Sequence, residues 1–145
     1  MMEYKNGVII TAHGEFCSGI QSAISLIAGE MENLRTVNFV VGDTFEIIDQ
    51  SLKKAYEELK DKQNIVILTD LKGGTPFNRS VLTLGSHENV RVLSGLNFAM
   101  LYQALITDTE NIDEYVEEIM EAGKEAIDVF EQTNDEDDEE EFDGI

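Results

Sequence analysis

Basic residues are scarce: ten Lys and Arg stand against thirty Asp and Glu, giving a formal charge of −20 and an isoelectric point near 4.1. Such a chain has little with which to neutralise a phosphate backbone, which excludes direct nucleic-acid binding. Its field steers it instead toward partners with basic docking faces. Cysteine occurs once, at Cys17, so no internal disulfide forms, and with only two histidines no Cys/His cluster has metal-ligand spacing. No apolar run approaches the ~18 residues that a membrane span requires. The opening Met-Met-Glu-Tyr-Lys-Asn leads into a strand without a charged-then-apolar leader, so a soluble cytoplasmic protein is expected. The 145 residues divide into one domain over 1–130 and an acidic tail over 131–145. With nine carboxylates and almost no apolar residues, the tail cannot bury enough surface to order itself and is expected to be disordered.

What the chain does contain is organised around Thr69-Asp70-Leu71-Lys72-Gly73-Gly74-Thr75-Pro76-Phe77-Asn78. The preceding Ile65-Val66-Ile67-Leu68 is wholly apolar and largely β-branched, as a parallel strand buried on both faces must be, which puts Asp70 at its carboxyl end. Gly73-Gly74 permits backbone angles closed to other residues and removes side chains that would hold an anion off the amides. Thr75 reads as an N-cap and Pro76, the only proline, as the first helical residue, where its missing N–H is no loss. A helix start of this kind offers free N–H groups and roughly +0.5 of an elementary charge to a phosphate. The pattern is equally that of a purely structural turn before a capped helix.

Strand one is Gly7-Val8-Ile9-Ile10-Thr11-Ala12, with His13-Gly14 at its carboxyl end, the position Asp70 holds later. Helical spacing of Phe16, Ile20, Ala23, Ile24 and Ile27 predicts helix one, stopped at Gly29. Val37–Val41 is the expected second strand; Asp43 with Glu46 approximates a capping box for a helix burying Phe45, Ile48, Leu52, Ala55, Tyr56 and Leu59. Helix three is expected to carry Phe77, Val81, Leu82 and Leu84 and to run to about Gly85, and Val90–Leu93 forms strand four. Asn97 and Asn111 cap two further helices, which turn Phe98, Leu101, Ala104 and Leu105, then Tyr115, Val116, Ile119 and Met120, inward. Residues 126–130 either continue the last helix or form a short strand. The alternation predicts an α/β fold: an open, mostly parallel sheet with helices on both faces, a three-layer sandwich. Ligands bind such sheets where neighbouring strands send their chains to opposite faces, and strands one and three are the natural pair.

At that point His13 and Asp70 would face each other over a floor of Gly73, Gly74 and the start of helix three. A free imidazole titrates near ~6.5, so one ring nitrogen is open to act as a nucleophile at neutral pH. A carboxylate on the other nitrogen fixes the tautomer and compensates the charge that develops during attack on phosphorus. Turn amides and the Thr75 hydroxyl would receive the phosphoryl oxygens, with no metal, nucleotide or other cofactor needed. The residues alone leave open that His13 is only a hydrogen-bonded turn residue. His87 reads as surface loop, Cys17 as a small buried hydrophobe, and Lys72 as an exposed turn cation that meets either the phosphoryl group or a partner.

Ile10-Thr11-Ala12-His13-Gly14, the Asp70–Asn78 segment and Gly95-Leu96-Asn97-Phe98-Ala99-Met100-Leu101, in this order, resemble the IIA component of the mannose family of the bacterial phosphoenolpyruvate-dependent sugar phosphotransferase system. The resemblance spans about residues 7–130 and implies a phosphotransferase working through a phosphohistidine. His13 would accept phosphate from the phosphocarrier HPr and pass it to a IIB component that feeds a membrane permease. Asp70 would orient the histidine, and Gly73, Gly74 and Thr75 would bind the phosphate. It also implies a homodimer, with residues 126–130 as the candidate for an exchanged edge strand, and a IIB component on a separate chain. Lys72 departs from the family's frequent tryptophan and Ala99 from its frequent proline. Two related readings are a phosphoryl-transfer subunit for dihydroxyacetone kinase and a regulatory module switched by phosphorylation of His13; a flavodoxin-like cofactor binder is the most distant.

Overall fold

The computed structural model describes residues 3–133. Four strands, β1 (Gly7–His13), β2 (Leu34–Phe39), β3 (Ile65–Thr69) and β4 (Val90–Leu93), form one parallel sheet in the order β2-β1-β3-β4. Five helices connect or follow them: α1 (Phe16–Ala28), α2 (Phe45–Leu59), α3 (Thr75–Leu84), α4 (Phe98–Ile106) and α5 (Ile112–Glu125). The sheet divides the core in two. Val8, Ile10 and Ala12 of β1 and Val66 and Leu68 of β3 pack with α1, α4 and α5; Ile9, Ile65 and Ile67 pack with α2 and α3. Both faces of the central strands are thus covered, which is why their sequences are unbroken apolar runs rather than alternating ones. The three-layer α/β expectation holds.

Local departures concern where elements begin and which way helices face. β2 starts at Leu34 and ends at Phe39, so Val40 and Val41, expected inside it, are exposed on the following turn. Thr44, not Asp43, caps α2, its side chain accepting the Ile47 N–H, while Asp43 accepts the Val40 N–H. Helix α1 buries Cys17 and Ile24 and half-buries Ile20, leaving Phe16 and Ile27 outward. Helix α3 buries Pro76, Ser80 and Leu84 and exposes Val81 and Leu82, the latter by 71%. In both helices the apolar residues outnumber those that one contact stripe can absorb, so tertiary contact selects among them. Phe45 and Met120 are likewise exposed rather than inward. Asn97 and Asn111 cap α4 and α5 as expected, accepting from the N–H groups of Met100 and Glu114.

Beyond α5 the segment 127–130 forms no strand within this single chain, and Ile127 and Val129 are exposed. The expected tail lies, from residue 134 on, outside the described residues. At the amino ends of the strands Asn6, Asn33 and Asn64 are buried and tie the α4–α5 connection to the sheet. Asn6 Nδ2 donates to the carbonyls of Thr107 and Thr109, Asn33 Nδ2 to Leu105, and Asn64 Nδ2 to Glu110. Among the described residues no helix is long and apolar enough to cross a membrane.

Candidate functional site

Parallel pairing of β1 with β3 brings Thr11 opposite Thr69, so His13, the last residue of β1, meets Asp70, the first beyond β3, although 57 positions separate them in sequence. A single carboxylate oxygen, Asp70 Oδ2, accepts twice from His13: from the backbone N–H at 3.2 Å and from Nδ1 at 2.9 Å. An ionised carboxylate only accepts, so this bond makes Nδ1 the protonated nitrogen and leaves the lone pair on Nε2. The two side chains are 45% and 20% exposed, open enough for another macromolecule to reach the ring. Phe39, at the end of β2, meets the imidazole edge-on with centroids 6.1 Å apart, and its carbonyl accepts the Gly14 N–H. Asp70 Oδ1 is buried with no hydrogen-bond partner among the described residues.

The floor is the 71–74 turn, closed by the Gly74 N–H donating to the Leu71 carbonyl at 3.0 Å. Gly73 lies at φ 80°, the left-handed region that favours glycine. Helix α3 begins one residue earlier than its sequence suggests: Gly74 is the N-cap, Thr75 the first helical residue and Pro76 the second. Because Gly74 has no side chain to cap with and Pro76 has no N–H, the first turn of α3 is left with the N–H groups of Thr75 and Phe77, which have no partner among the described residues. The Thr75 hydroxyl makes no hydrogen bond among the described residues, so it too is available as a donor. The structure therefore gathers His13, Asp70, Gly73, Gly74 and Thr75 at one edge of the sheet.

Three contributors escaped the sequence reading. Asn78 Nδ2 donates to the Gly73 carbonyl at 2.9 Å, tying the turn to the first turn of α3. Arg79 holds Asp49 of α2 through two bonds, Nε to Oδ1 at 2.9 Å and Nη2 to Oδ2 at 2.6 Å, and lies over the Phe45 ring at 4.9 Å. The guanidinium hydrogen bonds keep the Asp49 carboxyl below its usual range. Phe39 is the third. A residue's partner across a sheet has no signature in its own neighbourhood, and Asn78 alone followed a recognisable turn. Cys17 is fully buried; burial and then the charge of Asp70 push its thiol up to about 12, which removes it as a nucleophile. His87 is in an exposed loop, stacked on Tyr56 with centroids 4.4 Å apart.

Around the site the chain leaves apolar side chains in solvent. Phe16 opens α1, Val41 follows β2, Phe45 opens α2 and Leu71 follows β3, all exposed at the carboxyl edge of the sheet. Lys72, also exposed, makes no ion pair among the described residues.

A family model described as EIIA-man, PTS system fructose IIA component, matches residues 7–120. The mannose-specific EIIAB component of the PTS from Escherichia coli is 27% identical over 122 residues, 83% of this chain; the chain spans 38% of that relative's length. The fructose-specific EIIA component of Bacillus subtilis is 26% identical over 98 residues, covering 68% of this chain and 67% of its own. Among solved structures, phosphotransferase system component EIIA from Streptococcus agalactiae superposes with a TM-score of 0.76 at 36% identity, covering 86% of this chain and 96% of that one. The mannose/sorbose-specific IIA subunit from Enterococcus faecalis gives a TM-score of 0.80 at 27% identity, covering 90% and 98%.

Proposed function

Because this chain belongs to the mannose/fructose family of phosphotransferase-system IIA components, we propose that it is a phosphohistidine carrier which accepts a phosphoryl group from HPr on His13 Nε2 and donates it to a IIB component. The observation that carries this reading is the 2.9 Å bond from His13 Nδ1 to Asp70 Oδ2, which leaves Nε2 as the nucleophilic nitrogen. In the accepting step the Nε2 lone pair attacks phosphorus, a new N–P bond forms, and the bond from phosphorus to the donor breaks with its electron pair returning to the donor. Nδ1 keeps its proton throughout. The ring consequently becomes cationic, and the Asp70 carboxylate compensates that charge. The free N–H groups at the start of α3 and the Thr75 hydroxyl receive the phosphoryl oxygens, with the helix dipole favouring the dianion. Donation to IIB reverses the sequence: the N–P bond breaks, its pair returns to Nε2, and the neutral ring is restored.

The exposed Phe16, Val41, Phe45 and Leu71 suit alternating short-lived contacts with two partners on one face, and the charge of −20 suits basic docking surfaces. The same reading places the chain in the cytoplasm, with the membrane permease reached only through IIB. It also makes the chain a homodimer: Ile127 and Val129, exposed and two residues apart, give a short apolar strip after α5, and β4 is an edge strand of the sheet. Incubation with phosphoenolpyruvate, Enzyme I and HPr tests the carrier reading. An acid-labile phosphate on His13, absent from a folded His13→Ala variant, is expected. Phosphate on another residue, or none, refutes it.

A further inference from the structure

The adjacent glycines of the turn are glycine for different reasons. At Gly73 the backbone demands it: φ is 80°, and a Cβ there would meet nothing within 4 Å. At Gly74 the backbone does not, since φ −73° and ψ 170° are extended values that any residue adopts. A side chain is excluded there by contact instead. A Cβ on Gly74 would lie 2.8 Å from His13 Cε1 and 3.2 Å from the Leu71 carbonyl oxygen, against 3.4–4 Å for ordinary contact.

We propose that Gly74 is a positioning residue for His13, its bare Cα forming the wall on which the Nδ1–Cε1–Nε2 edge of the imidazole rests. The reactive role of that edge rests on the carrier reading above; the wall itself does not. The ring is held on three sides: Asp70 Oδ2 at Nδ1, Phe39 edge-on, and Gly74 at Cε1. Cε1 is bonded to both nitrogens, so moving it moves the acceptor of the phosphoryl group and the partner of Asp70 together. A methyl group at position 74 must drive Cε1 from 2.8 Å to at least 3.4 Å. The ring is the end of a half-exposed side chain and can swing away, so the fold survives while the alignment of Nε2 with the α3 amides is lost. The displacement is about 0.6 Å, and a full ångström in a reacting group slows a positioned reaction by up to about a hundredfold. Glycine at 74 is thus a requirement of the imidazole, beyond the general need of phosphate-binding turns for close approach.

Nitrogen-15 spectra of the His13 ring in the full chain, rates of phosphorylation by phospho-HPr, and thermal midpoints test this in Gly74→Ala, His13→Ala and the double variant. The parent ring is expected to show a fixed Nδ1–H tautomer, and Gly74→Ala an averaged one. Transfer to Gly74→Ala should fall between about tenfold and a hundredfold. The loss of thermal midpoint in Gly74→Ala should shrink in the His13→Ala background, where no ring remains to be struck and only the Leu71 carbonyl contact at 3.2 Å is left. An unchanged ring spectrum or an unchanged transfer rate in Gly74→Ala overturns the proposal, as does a midpoint loss just as large without His13. If the parent chain accepts no phosphate, the carrier reading fails while the ring spectra and the thermal cycle still decide whether the wall exists.

Discussion

Replacing Asp70 by asparagine keeps the shape of the side chain and removes its charge, which isolates what the carboxylate does for His13. Oδ2 now accepts two N–H groups, at 3.2 and 2.9 Å, while Oδ1 is buried without a partner. An asparagine must choose. With its carbonyl toward His13 it keeps both bonds but buries an NH2 group where nothing accepts from it, a penalty of about 1–3 kcal/mol. With its NH2 toward His13 it opposes two donors, and the ring escapes only by moving its proton to Nε2, the atom that must carry the lone pair. In either orientation the cation formed on phosphorylation loses its counter-charge. At a separation of about 4 Å and an effective dielectric between about 20 and 80, that attraction is about 1–4 kcal/mol. Exposures of 45% and 20% place the pair between those limits. The corresponding slowing is between about fivefold and a thousandfold, and a value near a hundredfold is expected. Rapid-quench measurement of transfer from phospho-HPr, with circular dichroism to establish folding, reads the effect. A folded Asp70→Asn protein that accepts phosphate at the parent rate refutes the role of Asp70 as tautomer and charge partner.

The Asp49–Arg79 pair, which braces α3 against α2, gives stability a definite pH dependence. The folded-state pKa of Asp49 is held below its unfolded value by the Arg79 hydrogen bonds, so its contribution is complete above about pH 5 and is lost as pH falls through the folded value. The thermal midpoint of Asp49→Asn should accordingly lie below the parent's at neutral pH, with the gap closing toward about pH 2; a gap independent of pH contradicts the assignment. The homodimer reading predicts that Ile127→Asp with Val129→Asp shifts the sedimenting mass from dimer to monomer without unfolding the domain, and a parent chain already monomeric at micromolar concentration removes it.

What was legible in the sequence was whatever depends on neighbours along the chain. Ile65–Leu68 and Val8–Ile10 read as buried strands because they are short, wholly apolar and rich in β-branched residues, and Asn97 and Asn111 announced helix starts through their own short side chains. Repetition of a polar residue at the carboxyl ends of two such strands was enough to nominate His13 and Asp70. Their meeting was expected from the pairing of strands one and three, but not that one oxygen, Asp70 Oδ2, takes both His13 N–H groups. The meeting follows from β1 lying between β2 and β3, and a strand order is a choice among pairings that the strands themselves do not encode singly. Tertiary packing alone decided that Phe16 and Ile27 turn outward while Cys17 and Ile24 stay buried, since a helix with surplus apolar residues takes the rotation its neighbours fill best. It also decided that three asparagines far apart in sequence close one end of the sheet, and that Gly74 stands against an imidazole sixty-one residues before it. Local preferences act over a few residues and survive in any context, whereas a contact across the sheet exists only once every intervening element has taken its place.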